Sequence, residues 1–192
     1  MGFLPRSEIE KIGFKKLGEN VNISDKAAIY GAENISIGDH SRIDDFCFIS
    51  SGLEGIEIGS YVHISVFCSI TGQSKIVLSD FSGLSSKVAI YSSSDDYSGS
   101  HLTNPCVPSK FTNVDSRPIH LGKHVIIGVG STILPGVVIG DGTAVGAYSL
   151  VNKNLEKNII AVGIPAKKIK NRKLLIYELE EKLISEKKNS NK

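Results

Sequence analysis

Every sixth residue of this chain is aliphatic over a long stretch. The beat runs Ile37, Ile43, Ile49, then Ile58, Ile64, Ile70, then Leu78, Leu84, Ile90. After an interruption it resumes as Leu121, Ile127, Ile133, then Ile139, Val145, Val151. Four residues after most of these stands a small or β-branched residue: Ser41, Cys47, Val62, Cys68, Ser82, Val88, Val125, Ser131, Val137, Thr143, Ser149. Glycine often follows the aliphatic residue directly, at Gly38, Gly59, Gly128, Gly140 and Gly146. A period of six is neither the 3.6 of a helix nor the 2 of a simple strand. It fits short strands joined by tight turns, three to a coil, so that stacked coils form a triangular prism around one apolar column. The aliphatic residue points inward, the small residue fits where the wall bends, and glycine is expected to supply backbone freedom at the bends. Extra residues between triplets fall at corners, and a partial coil precedes the run at Ile23 and Ile29. A two-sheet sandwich is the competing fold.

Three segments follow: a helical start over 1–20 with a short helix from Pro5 to Ile12, the prism over 21–170, and a C-terminal part over 171–192. In the last, Leu175, Ile176, Leu179, Leu183 and Ile184 have helical spacing among Glu and Lys. They predict an amphipathic helix that packs on the coils or on a neighbouring subunit. A disordered tail is expected from Lys187 to Lys192. A net charge of +2 over 192 residues gives no basis for a nucleic-acid partner. No apolar run approaches the roughly 20 residues that span a bilayer, and no secretory signal is evident. The three cysteines cannot all pair within the chain and lack a metal-knuckle spacing. Cys47 and Cys68 fall on the small packing position, whereas Cys106 lies in a loop. The expectation is a cytoplasmic protein without membrane insertion.

The interruption, 91–120, is too long for an ordinary connection in a compact repeat and reads as functional. It carries Ser94-Asp95-Asp96-Tyr97-Ser98-Gly99 and Thr103-Asn104-Pro105. This loop, with Ile127-Gly128-Val129-Gly130-Ser131, Ile133-Leu134-Pro135-Gly136-Val137 and Ala161-Val162-Gly163-Ile164-Pro165-Ala166-Lys167, resembles the hexapeptide-repeat acyltransferases, among them galactoside, maltose and O-antigen acetyltransferases. Within that family, Ile12-Gly13-Phe14, Arg42-Ile43-Asp44-Asp45-Phe46, Tyr61-Val62-His63-Ile64-Ser65 and the Ser94–Gly99 loop are most similar to the enzymes that N-acetylate dTDP-4-amino-4,6-dideoxyglucose. The resemblance covers about Val21 to Arg172. It implies a left-handed parallel β-helix, a homotrimer with sites between subunits, acetyl-CoA as cosubstrate, no required metal, and a nucleotide-linked sugar acceptor for O-antigen synthesis.

Many relatives place a histidine base where this chain has Asp95. A sugar hydroxyl, a very weak acid, benefits greatly from a near-neutral base, whereas a neutral amine is already nucleophilic. Asp95 in that place therefore favours N-acetylation over sugar or glycan O-acetylation, the alternative reading. Asp95 and His63, the latter expected at a prism corner, are the candidate catalytic residues. Asp44, Asp45, Asp96, Tyr97, His101 and Asn104 are the candidate sugar-nucleotide ligands, although Asp pairs are also common turn formers. A zinc site of His63, His120 and His124, as in the γ-class carbonic anhydrases, is the rival chemistry; the histidines do not share one hexad phase, which argues against it.

For the donor, small residues let a pantetheine arm approach the backbone. By resemblance, Gly128, Val129, Gly146, Ala147, Asn152 and Lys153 line the arm, while Pro165, Lys167 and Lys170 meet the nucleotide end. Lys168 and Arg172 complete a basic cluster suited to phosphates.

Overall fold

The computed structural model describes residues 2–190, the side chains of 188–190 excepted. Short strands wind into a three-faced parallel β-helix. The first face holds Lys16–Leu17, Ile35–Ile37, Ile56–Ile58, Ile76–Leu78, Ile119–Leu121 and Val138–Ile139. The second holds Asn22–Ile23, Arg42–Ile43, His63–Ile64, Gly83–Leu84, Ile126–Ile127, Ala144–Val145 and Ile159–Gly163, followed by Ala166–Asn171. The third holds Ala28–Tyr30, Phe48–Ser51, Ser69–Gly72, Ala89–Tyr91, Thr132–Ile133 and Leu150–Val151.

All fifteen residues of the six-residue beat are buried, none more than 3% exposed. They stack in register, as Ile43 pairs with Ile64 and Leu84 with Ile127. The first face adds inward residues two positions earlier (Ile35, Ile56, Ile76 and Ile119) and so contributes two aliphatics per strand to the column. Cys47 and Cys68 are buried packing residues whose thiols reach the Ser65 and Ser85 carbonyls at 3.0 and 3.2 Å. Contact with the Cys47 thiol, and burial, push the Cys68 thiol up.

The glycines after the inward residues serve a purpose other than the one expected. Gly38, Gly59, Gly128, Gly140 and Gly146 do not adopt positive φ. A Cβ on Gly128 would instead meet the Ala147 nitrogen at 2.5 Å, and one on Gly140 the Lys157 nitrogen at 2.5 Å. Close approach of the next coil requires them. The left-handed bend is made mainly by ordinary residues one or two steps later, such as His40, Tyr61, Phe81 and His124 at one corner and Phe46, Phe67, Lys87 and Tyr148 at the next.

Helix α1 spans Arg6–Lys11 and α2 spans Leu175–Ser190. Helix α2 begins only at Leu175, inside the 171–192 segment, because Ala166–Asn171 folds back as an antiparallel strand on Ile159–Gly163. The apolar stripe of α2 does not pack on the coils. Leu175, Leu179, Leu183 and Ile184 are 37–56% exposed. The polar side docks: Tyr177 donates to Asn158 at 2.7 Å, Glu180 receives Lys123 and His124 at 2.5 and 2.7 Å, and Lys187 reaches Tyr61 and His40. The corner beneath is a ladder of stacked rings, His40 on Tyr61, Tyr61 on Phe81 and Phe81 on His124. Helix therefore replaces the expected disorder from Lys187 to Ser190; Met1, Asn191 and Lys192 lie outside the described residues. No helix among the described residues is long and apolar enough to cross a membrane.

Candidate active site

Side chains that precede an inward residue on the second face point out of the prism. Their row reads Asn22, Arg42, His63, Gly83, Ile126, Ala144. His63 thus stands on a flat strand, not at a corner, with about half its side chain exposed. Its Nε2 lies 2.9 Å from Oδ2 of Asp44, whose other oxygen accepts from Arg42 Nε at 2.5 Å. The Asp44 side chain is only 9% exposed, so the carboxylate is fixed between two partners. A buried charge needs such partners, and they in turn lose rotational freedom. The Arg42 guanidinium also lies over the Phe3 ring. His63 borders an open notch of about 320 Å³ with Ser65, Gly83, Leu84, Ser85, Ser86 and Ile126.

Asp45 faces another way. It accepts a short hydrogen bond from Ser24 Oγ at 2.5 Å and pairs with Lys26 at 3.4 Å. The Ser24 bond, with Lys26 nearby, holds its carboxyl below the usual carboxylate range despite the opposing effect of burial. Asp45 is thus engaged by a corner and not aimed at His63.

The inserted loop is ordered around a small ladder, Ser93–Ser94 antiparallel to Asp115–Ser116. Asp95 follows it and lines a pocket of about 360 Å³ with Asn104, Pro105, Val107 and Thr112. Asn104 also forms a local turn, its Oδ1 accepting from the Cys106 N–H at 3.0 Å. Asp96 is committed to the loop: it accepts from the Ser98 N–H at 2.7 Å and faces His101 Nδ1 at 2.7 Å. The Ser98 hydrogen bonds, then His101, bring its carboxyl down to about 2. Asp96 and His101 therefore shape the loop, while Tyr97, at 93% exposure, projects from it. Within one chain, His63 and Asp95 line different pockets.

The donor candidates lie on the last coils. Gly128 and Gly146 are fixed by stacking, so they do not by themselves open a slot; a Cβ on Gly146 would meet Val162 Cγ2 at 2.9 Å. A cavity of about 260 Å³ does open nearby between Gly130, Thr132, Tyr148, Ser149, Leu150 and Ile164. Val129 is half-buried and Ala147 exposed, flanking it in sequence; Asn152 and Lys153 are exposed just after the last third-face strand. Pro165 is in the turn of the final hairpin, and Lys167 and Lys170 lie on its outer strand. Lys168 pairs with Glu156 at 3.4 Å, and Arg172 spends its guanidinium on the carbonyls of His124 and Gly142. That leaves Lys153, Lys167 and Lys170 as exposed ammonium groups, a set that fits a phosphorylated nucleotide.

Within one chain the three histidines of the zinc reading do not meet. His63 is on the second face, His120 meets Ser79 on the first, and His124 lies under α2 against Glu180. A groove of about 690 Å³ runs along the first face and contains none of the catalytic or donor candidates. Sequence reasoning singled out neither Gly83 nor Ser65, Ser85, Ser86 and Ile126 as site residues. The available signal was their position, since each sits within one or two residues of an inward aliphatic on the His63 face.

Residues 118–153 match the bacterial transferase hexapeptide family (six repeats). The chain is 50% identical over 180 residues, 94% of each chain, to the dTDP-4-amino-4,6-dideoxy-D-glucose acyltransferase of Escherichia coli. It is also similar to a serine-to-alanine variant of AntD, an N-acyltransferase from Bacillus cereus, crystallised with dTDP-4-amino-4,6-dideoxyglucose and coenzyme A; the TM-score is 0.93, with 44% identity, over 96% of this chain and 98% of that one. A further AntD structure, in complex with dTDP and 3-hydroxybutyryl-CoA, matches with a TM-score of 0.92, 45% identity, and 97% and 98% coverage. AntD variants altered at a serine, and at an aspartate ten positions beyond it, have been crystallised as well.

Proposed function

The chain belongs to the hexapeptide-repeat acyltransferases, within the group that acylates dTDP-4-amino-4,6-dideoxyglucose, and on that premise we propose that it N-acetylates the 4-amine of such a dTDP-linked sugar, with acetyl-CoA as donor. One observation carries the reading: a near full-length match to an enzyme of that substrate coincides with an exposed histidine, anchored by a buried carboxylate, beside an open notch.

The thioester supplies an activated acyl group. The neutral amine attacks its carbonyl to form the C–N bond and a tetrahedral oxyanion, the amine proton passes to a base, and collapse of the intermediate breaks the C–S bond and releases CoA, whose sulfur takes up that proton. His63, held by Asp44, takes that proton through water, or Asp95 does, and a backbone N–H stabilises the oxyanion. Ser85 and Asp95 keep the ten-residue separation of the serine and aspartate altered in AntD. Ser86 and Asp96 share that spacing, but Asp96 is occupied by its turn. Lys153, Lys167 and Lys170 hold the donor phosphates, and Val129, Ala147, Asn152 and Pro165 border the arm near the Tyr148 cavity. Asp44 positions, while Asn104 and Tyr97 contact the acceptor from the loop.

His63 and Asp95 occupy separate pockets of one chain, which supports a homotrimer in which the loop of one subunit meets the second face of the next. Exposed Phe46, Phe48, Phe67 and Tyr148 give such an assembly apolar surface to cover. Three free thiols among the described residues accord with the cytoplasm, where the product feeds O-antigen or related surface-glycan synthesis.

The test is a panel of amino and hydroxy nucleotide sugars, followed by CoA release and product mass. A dTDP-linked 4-amino sugar is expected to gain 42 Da (roughly one acetyl group in place of hydrogen), and His63→Asn and Asp95→Asn are each expected to lose activity by about 100-fold or more. Modification of hydroxyl sugars alone would replace this reading with O-acetylation.

A further inference from the structure

Nineteen glycines occur in the chain, and nearly all have a backbone reason. A Cβ would strike a neighbouring atom within 3 Å, or φ is positive. Gly83 has neither reason: a Cβ there would meet nothing within 4 Å, and its φ is ordinary. It opens the short strand Gly83–Leu84, paired with His63 on one side and Ile126 on the other. Glycine in a strand often marks a place where a ligand comes close. The empty volume it leaves is the notch beside His63.

The walls of that notch differ in character. Ile126, 45% exposed, is an apolar flank. Ser65, Ser85 and Ser86 also line it, with Ser65 and Ser86 bonded to each other at 3.1 Å. Ser85 Oγ has no hydrogen-bond partner among the described residues, and the Ser85 carbonyl is already used by the Cys68 thiol. A set of hydroxyls beside one apolar wall suits a deoxyhexose ring, whose own hydroxyls pair with serines while its methyl group lies on Ile126. An acetyl group has no hydroxyls to engage such a set.

We propose that Gly83 is a specificity-determining residue that leaves room for the amino-sugar ring of the acceptor between His63 and Ile126. This rests on the acceptor reading above. The first added methyl fills part of the notch, and an isopropyl group closes it. The fold should not suffer, because the space is open and Ala and Val favour strands more than glycine does.

The experiment compares wild type, Gly83→Ala and Gly83→Val for melting temperature, mass in solution, and separate KM values for the dTDP-amino sugar and for acetyl-CoA. The expected result is a melting temperature equal to or above wild type with unchanged mass. The KM for the sugar should rise about tenfold in Gly83→Ala and further in Gly83→Val, while that for acetyl-CoA stays within about twofold. An unaltered sugar KM in Gly83→Val overturns the assignment and leaves the N-acetylation reading standing. A rise confined to the acetyl-CoA KM overturns it in favour of the donor arm, and a lower melting temperature or altered mass overturns it in favour of a subunit contact. A wild-type protein that acylates no dTDP-linked amino sugar overturns both readings together.

Discussion

Asp44 is the residue on which the second face turns. Its carboxylate is nearly covered, yet it stands among exposed groups, and each of its oxygens has one partner: Arg42 at 2.5 Å and His63 at 2.9 Å. A charge so placed is stabilised only while both partners remain, and it limits the His63 ring to few orientations. Asp44→Asn keeps the volume but exchanges an acceptor for a donor on one side. The expected outcome is a kcat at least about tenfold lower, with the donor KM little changed, in the same CoA-release assay. An unchanged kcat would show that the orientation of His63 is irrelevant to turnover. Asp45, the next residue, illustrates why adjacent carboxylates in a sequence need not share a role. The αL bend at Phe46 follows, and Asp45 is drawn to Ser24 and Lys26 on the preceding coil.

Among elements, α2 behaves as a strap. Its sixteen residues extend about 24 Å. That length lets Tyr177 sit at Asn158 while Lys187 reaches Tyr61, several coils back. The centre of the strap is Glu180, bonded to Lys123 and His124. Burial alone would raise the Glu180 carboxyl, but hydrogen bonds from Lys123 and His124 and their charges bring it below its ordinary 4.5. A depressed carboxylate stabilises the fold above its unfolded pKa, and the contribution fades as pH falls through the folded value. Glu180→Gln is therefore expected to melt below wild type at pH 7, with the two curves converging in acid below about pH 4. A difference that persists unchanged into acid would mean that packing, not charge, holds the helix. The strap also shows what was legible in the sequence. The prism was legible because each strand commits one inward residue at a fixed interval, and burial bears out all fifteen. The docking side of α2 was not, because hydrophobic spacing reports which face is apolar and says nothing of a ladder of rings that offers polar anchors. Nor was the strand Ala166–Asn171, which is mostly exposed and lysine-rich and carries little apolar alternation. At the candidate site the loop and His63 were legible by motif. The notch was not, since an absent side chain leaves no chemical mark in a sequence already rich in glycine.

At the scale of the whole molecule, the proposed trimer makes a strong demand: Asp95 of one subunit and His63 of the next must serve the same centre. Co-expressed Asp95→Asn and His63→Asn chains tests this directly. Each variant alone has every site defective, whereas random mixing leaves about one site in four with both residues intact. The expected outcome is activity near a quarter of wild type over the whole co-expressed population, and roughly a third on assemblies purified for both chains. Activity no higher than that of the separate variants would place both residues in one subunit or in unrelated roles.

A wound ladder of parallel strands has two raw ends, each a row of unpaired N–H and C=O groups that another copy could extend. Here the last strand of the second face is overlaid by the reversed strand Ala166–Asn171, and at the start Phe3 bridges antiparallel to Ser24 while Arg6 donates to the Gly18 carbonyl. A strand running backwards offers the wrong register for another forward coil, so linear growth stops where the chain reverses. Removal of 164–192 should therefore turn a particle of fixed mass into one that lengthens with concentration, visible by light scattering as filaments, and a truncated protein that keeps a constant mass would show that the stack terminates without its cover.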